Sequence, residues 1–103
     1  MITNLETPIL QITPHERQLL DEILTRCLPG VEVWAYGSRV GGSPRKNSDL
    51  DLVVHTQPAQ RQTVSDLREE LEESNLPFKV DMHVWDDLPP EFQQRIQANY
   101  VKL

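Results

Sequence analysis

The run Val31 to Tyr36, rich in β-branched and aromatic residues, passes without a break into Gly37-Ser38. Ten residues later, Asp49-Leu50-Asp51 opens a second run of the same kind, Asp49 to His55. Such residues suit the pleated, half-buried surface of a strand, so the chain is constrained to two strands joined by a connection rich in Gly, Ser and Pro. Phe78 to Trp85 reads as a third strand. Helical patterns fill the intervals. Thr13-Pro14-His15-Glu16 is a helix start: Thr13 caps, Pro14 suits the first turn and Glu16 completes a capping box. Leu19, Leu20, Ile23, Leu24 and Cys27 follow at helical spacing, until Pro29-Gly30 ends the helix. Pro58 opens a second helix, about 59–74, with Val64, Leu67 and Leu71 on its buried side; Pro89 to Asn99 forms a third, with Phe92 and Ile96 facing inward. Residues 38–42 are expected to make one short helical turn, and Tyr100 to Leu103 an edge strand or a tail. The expected fold class is α/β (α+β), a small three-stranded sheet packed by helices on one face. Residues 1–12 are read as a loosely attached arm, and 13–103 as one domain.

Composition narrows the functions open to this fold. A chain of 103 residues has room for one small core. With 10 basic and 16 acidic residues its net charge is −6, which argues against a general nucleic-acid-binding face. A nucleotide held by a metal and by backbone amides is unaffected by that argument. The acidic run Glu69, Glu70, Glu72 and Glu73 reads as a solvated helix face. One cysteine, Cys27, excludes an intrachain disulfide and fits a reducing cytoplasm. The apolar runs are too short to span a membrane, and MITNLETPIL lacks the basic and apolar segments of a signal peptide.

The chemistry sits between the first two strands. Strand alternation sends Asp49 and Asp51 to one face, with Leu50, Leu52 and Val54 on the other, toward the helices. Two such close carboxylates repel each other unless a cation lies between them, and magnesium binds one or two carboxylates together with substrate phosphates. On the third strand, Asp81 shares a face with Lys79, His83 and Trp85. If the strands are neighbours, Asp81 lands beside Asp49 and Asp51. Three carboxylates suffice for two metals, one on a nucleotide triphosphate and one lowering the pKa of an attacking hydroxyl; alternatively Asp81 accepts that proton itself. Gly37 lets the backbone approach phosphates, and Ser38 adds a hydroxyl at the start of a short helix with free amides. Arg39, Arg45 and Lys46 are the nearby positive charges for a leaving pyrophosphate, with solvated loop surface as the plainer role of each. His83 neighbours this site or is a strand-surface histidine; Trp34 and Trp85 stack on a base or pack internally. A P-loop is excluded, because Gly42 is followed by Ser43-Pro44 rather than Lys-Ser/Thr.

GSRVGGSPRKNSDLDL resembles the signature of the minimal nucleotidyltransferases, relatives of the kanamycin nucleotidyltransferase catalytic domain and of DNA polymerase beta. The likeness covers roughly residues 14–100, including VDM around Asp81 and the closing WDDLPPEFQQRI. It implies that Asp49, Asp51 and Asp81 are catalytic and metal-binding, with two Mg2+ ions. It further implies that Gly37, Ser38 and Arg39 bind the nucleotide, and that ATP is the donor. For small members it implies an MNT antitoxin that moves AMP to a tyrosine of a helical HEPN toxin in a hetero-oligomer; a helical substrate-binding chain is the other implied partner. Gly41 departs from the pattern, standing where an arginine is common. A catalytically weak module that neutralises a helical partner by binding alone is the alternative reading.

Overall fold

The computed structural model describes residues 9–103. Helix α1 spans Pro14–Cys27. Its first turn is tied as the sequence predicts: Glu16 N–H donates to Thr13 Oγ1 at 3.1 Å, and Thr13 N–H donates to Glu16 Oε1 at 2.9 Å. Leu20, Ile23 and Leu24 bury one stripe of the helix. Helix α2 spans Arg61–Glu72, preceded by a 3-10 turn at Pro58–Gln60, and buries Val64, Leu67 and Leu71. The two helices lie side by side, and Arg26 of α1 reaches Glu70 of α2 at 2.8 Å.

Four strands make the sheet, one more than the three expected. They are β1 (Val33–Tyr36), β2 (Leu50–Val54), β3 (Val80–Val84) and β4 (Val101–Lys102), in the order β3-β2-β1-β4. β1 runs antiparallel to both β2 and β4, while β2 and β3 are parallel. A parallel pair needs a long crossover, and α2 supplies it. The C-terminal residues form an edge strand rather than a tail: Leu103 N–H donates to Val33 C=O at 2.9 Å. At the opposite edge, the Arg68 guanidinium donates to Met82 C=O from both Nε and Nη2, which closes part of the free rim of β3.

Alternation divides the sheet into two faces. Val33, Ala35, Leu50, Leu52, Val54 and Met82 join α1 and α2 in the main core, where Leu50, Leu52 and Val54 are fully buried. Trp34, Tyr36, Asp51, Val53, Asp81 and His83 belong to the other face. Helices α1 and α2 thus take the face expected for helices. Helix α3 (Pro90–Ala98) is placed differently. Phe92 meets the Tyr36 ring edge-on at 5.9 Å, and Gln93 Nε2 donates to Trp85 C=O at 2.8 Å. Trp34 stacks on Tyr100 at 4.0 Å and also meets His55 and Trp85, so both half-buried tryptophans pack against neighbouring rings of the chain.

The proposed arm is fastened where it is described. Leu10 bridges to Val40, and Gln11 N–H donates to Arg39 C=O at 2.7 Å. Residues 1–8 lie outside the described residues. Because Leu52 is fully buried on the central strand, Leu52→Ala is expected to cost about 2–5 kcal/mol, a large part of the roughly 5–15 kcal/mol available to a small domain. Urea unfolding followed by circular dichroism measures this loss.

Candidate functional site

Strand register assembles the site. Tyr36 of β1 is the cross-strand partner of Asp51 on β2, and Asp51 is the partner of Asp81 on β3. Cross-strand partners share a face, so these three side chains form one row across the sheet. The expectation that the second and third strands are neighbours therefore holds, and Asp81 comes beside Asp51. Asp49 precedes β2 by one residue and is exposed at the strand's entry.

The glycine turn closes over this row. Gly37 has φ +85, in the left-handed region, and a Cβ built on it would collide with Asp51 Oδ2. Only a residue without a side chain lets the backbone pass so close to the carboxylate. Gly37–Arg39 form a single 3-10 turn, closed by Val40 N–H donating to Gly37 C=O at 2.9 Å. The turn is shorter than the 38–42 helix expected. It presents Ser38 to solvent and offers backbone amides, but it is too short for a helix dipole to form.

Burial, then the charges of Asp81 and Asp49, hold the Asp51 carboxyl above its ordinary pKa, with His83 acting in the opposite sense. Burial, then the charges of Asp51 and Asp81, push the Tyr36 phenol up to about 12. Both shifts report negative charge crowded into a partly dry place. Among the described residues, no three Asp, Glu, His or Cys side chains are already gathered as a ready-made metal cage. What the structure shows is a repelling row of carboxylates beside bare backbone, and this suits an ion that also takes ligands from a substrate. His83 Nε2 lies 3.8 Å from Asp81 Oδ2, which places His83 next to the site.

Arg39 requires a correction. It was expected to bind nucleotide, yet it is buried at 6% exposure. Its guanidinium donates to Ser48, Gln11, Arg45 and Lys46 carbonyls at 2.9–3.3 Å and lies over the Phe78 ring at 4.2 Å. Those bonds use its donors on the chain itself, so Arg39 holds the spacer in shape and does not face a phosphate. Arg45 and Lys46 keep exposed side chains and lend their carbonyls to Arg39. Gly41 also finds a physical reason. Its φ is +79, and a Cβ there would meet Asn99 Nδ2 at 2.9 Å. That Nδ2 donates to Val40 C=O at 2.9 Å.

The sequence reading missed Tyr36, Arg95 and Asn99. Tyr36, Gly37, Arg95, Ile96 and Asn99 line one concavity next to the turn. The alternation of Val33-Trp34-Ala35-Tyr36 already separates Tyr36 from the core face, but its place beside Asp51 depends on antiparallel register, which sequence spacing does not encode. Arg95 and Asn99 were hidden because α3 was assigned to the wrong side of the sheet for them to matter.

Comparison with known proteins gives the family and the fold. The family described as "Polymerase beta, Nucleotidyltransferase" matches residues 15–103. A Haemophilus influenzae protein described as "Probable protein adenylyltransferase MntA" is 37% identical over 93 residues, covering 89% of this chain and 82% of that one. A solved structure described as "Crystal structure of putative nucleotidyltransferase" superposes with a TM-score of 0.50 at 19% identity, covering 88% of this chain and 99% of the other; this likeness concerns the fold.

Two expectations follow from the geometry. Raising the folded-state pKa of Asp51 means that the folded chain holds this proton more tightly than the unfolded chain. The associated stability is present below the ordinary aspartate pKa and is lost as pH rises through the raised value. Asp51→Asn is therefore expected to raise the metal-free melting temperature at neutral pH, by up to about 5 °C, with the gain vanishing in acid. Arg39→Met is expected to destabilise the chain by roughly 2 kcal/mol or more, with no rescue by Arg39→Lys, because an ammonium cannot span four carbonyls. Thermal melts of the three variants across pH measure both effects.

Proposed function

The chain belongs to the polymerase beta nucleotidyltransferase family and is a nucleotidyltransferase; on that premise we propose that it transfers AMP from ATP to a tyrosine hydroxyl of a helical partner protein, a HEPN-type toxin that it silences. The observation that carries the reading is the bare backbone of Gly37 against Asp51, with Asp81 in register on the next strand. The protein acceptor is supported by the description of the Haemophilus influenzae relative as a protein adenylyltransferase. Among the described residues no helix is long and apolar enough to cross a membrane.

Asp49, Asp51 and Asp81 are the residues that would hold magnesium, which when bound neutralises charge on the triphosphate and lowers the pKa of the acceptor hydroxyl. The chain's own groups do the rest. Gly37 and Ser38 receive the phosphates on backbone amides and a hydroxyl. The acceptor oxygen attacks the α-phosphorus, the bond from that phosphorus to the α,β-bridging oxygen breaks, and pyrophosphate leaves with the bonding pair. The proton of the acceptor hydroxyl passes to Asp81, at the outer end of the row. Positioning and charge stabilisation supply the rate, as in phosphoryl transfer generally.

Gly41 gives no support to the reading of a catalytically weak binding module. Its missing side chain answers a left-handed backbone and the approach of Asn99. Incubation with labelled ATP, magnesium and the candidate partner is the test. Label is expected on a partner tyrosine, with transfer lowered about 10²-fold or more in Asp49→Ala and Asp51→Ala and abolished by chelation. Partner neutralisation without any transfer, unchanged in both variants, would instead establish neutralisation by occupation.

A further inference from the structure

We infer that Arg95 of α3 is the residue that binds the β- and γ-phosphates of the donor nucleotide, an assignment that rests on the nucleotidyl-transfer reading above. The phosphate turn needs a cation, because pyrophosphate leaves from it with added negative charge. The arginine next to that turn in sequence is unavailable, since Arg39 is buried and bonded to four carbonyls of its own chain. Position 41 cannot supply one, because its left-handed backbone lies against Asn99. Arg95 is the one positively charged side chain in the concavity that also contains Gly37 and Tyr36. It is exposed, and among the described residues it enters no ion pair.

The helix holds Arg95 in place from both directions. One turn toward the N-terminus, the Phe92 ring lies 5.6 Å from the Arg95 guanidinium carbon and meets Tyr36 edge-on. Next to it, Ile96 is 2% exposed and anchors α3. One turn toward the C-terminus, Asn99 is bonded to Val40 within the spacer. Residues 92, 95 and 96 fall on one side of the helix, and Asn99, the extended residue just past its end, ties that end to Val40, so the part of α3 that carries Arg95 is fixed to the turn that would receive phosphate. A guanidinium presents a planar fork of donors suited to phosphate oxygens.

Equilibrium binding of ATP with magnesium, compared with binding of AMP, reads this role without requiring the acceptor. Arg95→Met is expected to weaken ATP binding by about 10-fold or more and to leave AMP binding within about 2-fold, because only ATP carries the contacted phosphates. Arg95→Lys is expected to recover part of the ATP affinity. Melting temperatures of both variants should match the parent, as an exposed side chain without an ion pair contributes little to stability. Equal ATP affinity in the parent and Arg95→Met would overturn the inference and leave the transfer reading standing. So would parallel losses for ATP and AMP, which would indicate a purely structural role. A parent chain that binds no ATP would overturn both.

Discussion

Asp51 is half buried, with one carboxylate beside it on the next strand, another two residues earlier, and the bare backbone of Gly37 above it. Left to itself this is an unfavourable place for a charge. The rest of the molecule keeps it there. The sheet register that creates the row also fixes Leu50, Leu52 and Val54 in the main core, one residue out of phase. A slip of one residue would bury the aspartates and expose the leucines. The core therefore enforces the crowding, and stability is given up locally at the row of carboxylates.

A second constraint acts on the spacer. Ten residues separate Ser38 from Asp49, and several of them are glycine, serine or proline. Such a stretch has little tendency to hold one shape. The buried Arg39 guanidinium gathers carbonyls of residues 45, 46 and 48 at the far end of the loop and of Gln11 from the segment before α1, with Phe78 as its floor. An ionic group is used here as an internal clasp. The satisfied carbonyls offset the cost of burying it.

The amino-acid pattern revealed much of this. The capping box at Thr13 and Glu16 is local, and it formed as read. The alternation of Asp49, Leu50, Asp51 and Leu52 is equally local and fixed which face carries the carboxylates. What could not be read depends on distance along the chain. Asp81 was placed only on the condition that its strand adjoins β2, and that adjacency is a property of the crossover. Arg39 was misjudged for a related reason: an arginine beside a phosphate turn looks the same in sequence whether it points out to a ligand or in to the carbonyls of residues 11, 45, 46 and 48. Two residues of β4 were too few to show any period, so the edge strand emerged only in the paired sheet.

The hydrogen bond from Asn99 to Val40 joins residues 59 positions apart. Together with the pairing of β4 along β1, it means that the glycine turn is braced by the last stretch of the sequence described. Domains grow from the N-terminus during synthesis, at about 5–20 residues per second. The turn, the carboxylates and the core strands all emerge from the ribosome before their brace does. A nascent chain halted short of residue 99 thus holds every proposed metal ligand but lacks the strut that sets the turn over them, so the order of synthesis itself delays assembly of the site until α3 has been made.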